Sequence, residues 1–201
     1  MDDATNALIA LQRHFREKGD YTSFTLNAKA YMPGYNIFSL LDYFFDKIPD
    51  SQKFAVVLDV YTITAENNNR RILKYLKAVK PLIPAEVKDI ISALADSNGE
   101  IMVYRGGQKS KDASRRVSWT TSVDIAEFFA KRYLYYNGFR DGGGKAVVYT
   151  GVIKPQDVIA YTNGRKEKEI IQYCSVKRVQ VVKTIDKLSE SDKASKNIFE
   201  T

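Results

Sequence analysis

Apolar residues in the first hundred positions recur at steps of three and four, the period of helices that bury one face. Leu8, Leu11 and Phe15 share such a face, and Gly19 supplies a stop. Asn36 is placed to cap a second helix, whose buried side reads Ile37, Leu40, Leu41, Phe44, Phe45 and Ile48, with Pro49 at its end. The segment FAVVLDVYTIT, 54–64, carries two signals. Its Val and Thr content suits a strand, while Phe54, Val57, Leu58 and Tyr61 keep helical spacing; the spacing takes precedence and predicts a helix. Ile72, Leu73, Leu76 and Val79 predict another, broken by Pro81, and Val87, Ile90, Ile91 and Leu94 a short one after Pro84.

At Asn98-Gly99 the period changes. IMVYRG (101–106), VSWTTS (117–122), KAVVYTGVI (145–153), DVIAY (157–161), EIIQYC (169–174) and KRVQVVKTI (177–185) are β-branched and aromatic runs that read as strands. One helix interrupts them at 125–136, with Asp124 near its cap and Ile125, Phe128, Phe129 and Tyr133 on one side. Gly142-Gly143-Gly144 precedes a strand and lacks the lysine-serine ending of a phosphate-binding loop, so it reads as a connector. From Ser189 the chain is polar and is expected to be mobile. The expected class is α+β: a helical N-terminal region, 1–100, then a mixed or antiparallel β core, 101–187, then a tail, 188–201.

Composition narrows the chemistry. No apolar run is long enough to span a bilayer. The start, MDDATNALIALQRHF, lacks the basic beginning and small-residue cleavage site of a secretory signal, which predicts a chain that works in the cytoplasm without a membrane partner. Cys174 and His14 are the single residues of their types, so neither an internal disulfide nor a Cys/His zinc site can form, and no metal is expected. A nucleophile–histidine mechanism would have to use His14, which lies on an amphipathic stretch at a surface or boundary position. The formal charge is +7, from 31 Lys and Arg against 24 Asp and Glu. Its basic pairs, at 70–71, 115–116 and 177–178, are scattered and read first as solvated surface.

Three features of the second half carry chemistry only in combination. Arg105 ends a strand, Thr120-Thr121-Ser122 precedes a helix, and Glu167-Lys168-Glu169 leads into Ile170 and Ile171. Singly, each suits an ordinary surface or capping role. In order, Y-R-G, then S-W-T-T-S with A-x-F-F-A, then E-x-E-I-I resembles the mono-ADP-ribosyltransferases of the R-S-E class. The resemblance is greatest to the small enzymes that tailed phages use to modify host proteins, and extends to the catalytic domains of bacterial binary toxins. It covers 101–185. The chain departs from the family pattern at Thr120, where serine is usual, and at Gln172, where many relatives have leucine and proline.

The resemblance implies a β-sandwich core of the ADP-ribosyltransferase type and NAD as co-substrate. It also implies a target protein with an accessible arginine, the host transcription or translation machinery being a candidate; nucleic acid is the less favoured partner. It assigns Glu169 as the catalytic acid, Arg105 to the NAD phosphates and the Gly106 backbone to the nicotinamide carboxamide. Tyr104, Ser122 and Phe129 line the NAD site, and Thr120 orients Glu169. These residue types suit the reaction. A carboxylate stabilises the oxocarbenium-like ribose left when nicotinamide departs, and a guanidinium forks onto phosphate oxygens.

Glu167 and Glu169, two apart in an extended run, would share a face. In the family, a first glutamate goes with arginine as acceptor, so Glu167 is the candidate to orient the guanidinium, with Tyr161 and Arg165 as candidate contacts to the acceptor. The alternatives are NAD hydrolysis, or transfer to nucleic acid or another side chain on the same scaffold. A reading of a different class is a non-catalytic module that binds nucleic acid or protein.

Overall fold

The computed structural model describes residues 3–64, 69–137, 145–164, 166–174, 176–190 and 192. Gly142-Gly143-Gly144, Arg165 and the tail at 191 and 193–201 lie outside the described residues. The chain divides into two compact units, Met1–Ile83 and Pro84–Thr201.

The first unit is helical: α1 (Asp3–Lys18), α2 (Phe24–Tyr31), α3 (Ile37–Phe44), α4 (Asp50–Ile63) and α5 (Asn69–Val79). Gly19 closes α1 at φ 64°, donating its N–H to Phe15 O at 2.9 Å. Asn36 caps α3, its Oδ1 accepting from Phe38 N at 3.0 Å and Ser39 N at 3.2 Å. Segment 54–64 is helical up to Ile63, but its buried face is Phe54, Val56, Val57 and Val60. Leu58 and Tyr61 are only half-buried, so the helix is rotated relative to the expected face. The sequence pattern misses α2. Its cap residue Ser23 makes no side-chain cap bond. Instead Asp59 on α4 accepts from Thr25 N at 2.8 Å and Thr25 Oγ1 at 2.9 Å. Phe15 centres the core, stacked between Tyr21 at 4.5 Å and Phe24 at 5.6 Å, with Phe44 edge-on at 5.3 Å.

The second unit begins with α6 (Ala85–Ser92) and continues through β1 (Ile101–Gln108), β2 (Ser118–Thr120), α7 (Val123–Asn137), β3 (Ala146–Ile153), β4 (Val158–Thr162), β5 (Glu169–Gln172) and β6 (Lys177–Ile185). The strands form one six-stranded sheet in the order β4-β5-β2-β1-β3-β6. Every pair is antiparallel. The resemblance implies two packed sheets; here β4-β5-β2 and β1-β3-β6 are continuous, joined at one register pair, Tyr104 opposite Thr120.

Alternation along the strands sends two sets of side chains to two cores. Ile101, Val103, Trp119, Tyr149, Ile153 and Ile170 pack together, with Ile91 of α6 among them. Each such side chain stabilises the unit by roughly 1.5–3 kcal/mol on burial. The other set, Ala146, Val148 and Ile185, packs against Ala126, Ala130 and Leu134 of α7. This corrects the expected face of the helix. Ile125, Phe128 and Phe129 are half-buried, and small residues face the sheet because helix and sheet lie so close. A Cβ built on Gly106 would fall 1.7 Å from Ala126 O. The expected mobile tail is tied at its start: Asp192 pairs with Lys131 of α7 at 2.8 Å and accepts from Ser189 N at 3.1 Å. No described helix is long and apolar enough to cross a membrane.

Candidate active site

The site is built where the sheet nearly parts. Continuing the Tyr104–Thr120 register would set Gly106 opposite Ser118, yet β1 and β2 pair only at Tyr104 and Thr120. At Ser118 the ladder gives way to a side chain: Arg105 Nη1 donates to Ser118 O at 2.5 Å. On its other side β2 pairs fully with β5, Thr120 opposite Glu169 and Ser118 opposite Ile171. Directly opposed residues share a face, so Ser118, Thr120 and Glu169 stand together while Trp119 and Ile170 enter the core.

Ser118 Oγ donates to Glu169 Oε1 at 2.5 Å. Ser118 therefore binds the guanidinium through its carbonyl and the carboxylate through its hydroxyl. Glu169 is 5 % exposed, the one charged side chain that is buried among the described residues. The start of β2 is itself fixed. Trp119 Nε1 and Gln172 Nε2 both donate to Arg116 O, at 2.9 Å and 2.5 Å, and Gln172 N donates to Val117 O at 2.9 Å. Gln172 is fully buried, and its Oε1 has no hydrogen-bond partner among the described residues.

Thr120 has a different task from the one expected. Its Oγ1 donates to the main-chain carbonyl of Glu167 at 2.7 Å and accepts from Ser122 N at 3.1 Å. It pins the turn before β5, and Ser118 holds the carboxylate. Strand alternation was the signal for Ser118, since it lies two residues before Thr120 and shares its face.

Glu167 also departs from expectation. The face-sharing argument needs both glutamates in a strand, but β5 begins at Glu169. Lys166 and Lys168 have φ of 59° and 46°, left-handed values uncommon for non-glycine residues. Local bonds hold this shape: Lys166 N to Asn163 O at 2.9 Å, Lys168 N to Asn163 Oδ1 at 3.2 Å, and Thr121 N to Lys168 O at 3.1 Å. Asn163-Gly164 thus organises the turn through the asparagine side chain.

The remaining candidates fall in several places. Gly106 pairs with Val148 in the ladder and faces α7, so close helix packing accounts for a glycine there. Tyr104 packs on the α7 side, its hydroxyl donating to Met102 Sδ at 3.0 Å. Ser122 immediately precedes α7, its carbonyl accepting from Ala126 N at 3.1 Å. Phe129 meets Phe128 edge-on at 5.5 Å. Tyr161 lies opposite Ile170 and packs against the core, which directs its ring inward. His14 is half-buried in the first unit, its Nδ1 3.3 Å from the Tyr31 hydroxyl. Among the described residues no group of three or more His, Cys, Asp or Glu side chains is placed to hold a metal.

A buried carboxylate, fixed by an alcohol and one residue away from a fixed guanidinium, can stabilise a developing positive charge on one part of a substrate while its anionic part is held nearby. Comparison of the chain with family models, with characterised proteins and with solved structures gives no match.

Proposed function

We propose that the chain is an NAD-dependent mono-ADP-ribosyltransferase acting on protein arginine. One observation supports this above the others: Arg105 and Glu169, 64 positions apart in the sequence, meet on the two polar groups of Ser118. In this reading NAD lies along the split between β1 and β2. Arg105 exchanges its bond to Ser118 O for the phosphate oxygens, and Glu169 takes the ribose. The bond from nicotinamide nitrogen to the ribose anomeric carbon breaks, its electron pair leaving with neutral nicotinamide. The Glu169 carboxylate stabilises the positive sugar, and its dry surroundings strengthen that interaction. A substrate reaches a carboxylate this deep by displacing groups now packed against it. A guanidino nitrogen of the target then bonds to the anomeric carbon and loses a proton to a base, the role given to Glu167.

The turn geometry supports a second reading. Glu167 does not extend the strand that carries Glu169, so the same scaffold suits NAD hydrolysis, or transfer to an acceptor that needs no second carboxylate. Incubation of the purified chain with labelled NAD and cell lysate tests the first reading. Label on lysate proteins, released by reagents selective for arginine linkages, is expected. Nicotinamide release without protein label favours the second, and neither product removes both.

A further inference from the structure

Two basic pairs that the sequence scatters are brought side by side by the fold. Val176 N donates to Ser114 O at 2.9 Å, which sets Arg115-Arg116 beside Lys177-Arg178. Residues 109–116 hold four cations and one acid, a net +3 of the chain's +7. The segment is anchored rather than loose. Ser110 N donates to the Tyr149 hydroxyl at 2.7 Å, that hydroxyl donates back to Ser110 O at 3.2 Å, and Ala113 is buried in the core. Lys109, Lys111, Arg115 and Lys177 are exposed.

Little neutralises these charges. Arg178 is taken by Glu100. Asp112 lies 3.8 Å from Arg115 with both side chains at least 70 % exposed, where such a pair contributes little. Lys109, Lys111 and Lys177 have no ion-pair partner among the described residues. No large apolar side chain of 109–117 is exposed. A protein partner needs apolar or aromatic anchors at the centre of its footprint, and unpaired bases need aromatic faces to stack on. A patch of cations alone on a fixed loop suits a regular array of phosphates.

We propose that 109–116 and Lys177 form a docking surface for the phosphate backbone of a nucleic-acid duplex, gripped without reading its sequence. The surface lies between Arg105 and Ser118 in the chain but uses neither, so it stands or falls independently of the NAD reading. The test is a fluorescence anisotropy titration of a short mixed-sequence DNA duplex with the full chain at several salt concentrations. Four phosphate contacts, one from each of the exposed cations Lys109, Lys111, Arg115 and Lys177, predict a log–log salt slope of about −3.6. The variant Lys109→Ala/Lys111→Ala/Arg115→Ala, with an unchanged circular dichroism spectrum, should lose about three-quarters of that slope and bind at least about tenfold more weakly at low salt. Lys109→Arg/Lys111→Arg should keep both. No binding by the wild type, an unchanged slope in the alanine variant, or displacement of the duplex by polyglutamate of matched charge as readily as by unlabelled duplex would overturn the proposal.

Discussion

Ser118 donates its hydroxyl to Glu169 across 51 residues of sequence, at 2.5 Å. The bond joins the first residue of β2 to the first residue of β5, and it fixes a carboxylate buried at the split in the sheet.

Removing that hydroxyl should loosen Glu169 without emptying the core, because Trp119 and Ile170, on the opposite face, carry the packing. Ser118→Ala is expected to lower the maximal rate of nicotinamide release by about a hundredfold, the scale of a misplaced catalytic group, with KM nearly unchanged. Ser118→Thr should recover much of the rate. Steady-state kinetics beside a thermal melt separate this from simple unfolding.

Glu167 divides transfer from hydrolysis. Glu167→Ala should abolish labelling of arginine while nicotinamide release persists at a comparable rate. Thr120 grips the carbonyl of Glu167, not its side chain, so the turn should keep its shape in the variant. Loss of both products would place Glu167 in the cleavage step itself.

Gly106 tests the close seat of α7 on the sheet. Gly106→Ala puts a methyl 1.7 Å from Ala126 O, with Ala130 N at 2.6 Å, both main-chain atoms that cannot swing aside. A loss of about 3 kcal/mol or more is expected in urea unfolding of the C-terminal unit. Gly164→Ala is the control: its nearest neighbour would be Thr162 Oγ1 at 3.9 Å, and the change should stay within about 0.5 kcal/mol.

Asp42 gives the N-terminal unit an acid sensitivity. The Tyr75 hydroxyl, and after it the Lys74 ammonium, hold the Asp42 carboxyl below the ordinary carboxylate value. A carboxylate with a depressed native pKa contributes stability above its unfolded value, and that contribution fades as pH falls through the native one. Asp42→Asn should therefore be less stable than the wild type at neutral pH, and its melting temperature should fall less between about pH 5 and pH 2. Parallel melting curves across that range would contradict the assignment.

The elements that sequence made legible are those whose signals are local. The alternation of helix then strand periods, the Asn36 cap and the Gly19 stop each act within a few residues, and the α+β class follows from them. What stayed hidden depends on distant partners. The second helix draws its N-terminal acceptor from Asp59, 34 residues away. The last helix turns alanines to the sheet because Gly106 lies beneath it, so the aromatic residues that mark the apolar stripe point elsewhere. Of the site, Arg105, Thr120 and Glu169 were singled out by the resemblance of their motifs, in order, to the R-S-E transferases, each being an ordinary surface or capping residue by itself. Ser118 was hidden by the neighbouring hydroxyl triplet, and the placement of Glu167 by left-handed lysines that strand reasoning does not anticipate.

The most direct test is nicotinamide release from NAD by the wild type and by Glu169→Gln, side by side, with matched melting temperatures. The amide keeps the shape of the side chain and can still accept from Ser118, but carries no charge to stabilise the sugar. Release by the wild type and its loss in the variant, by about a thousandfold or more, is the predicted result. Equal release by the two proteins, or none by the wild type, contradicts the account.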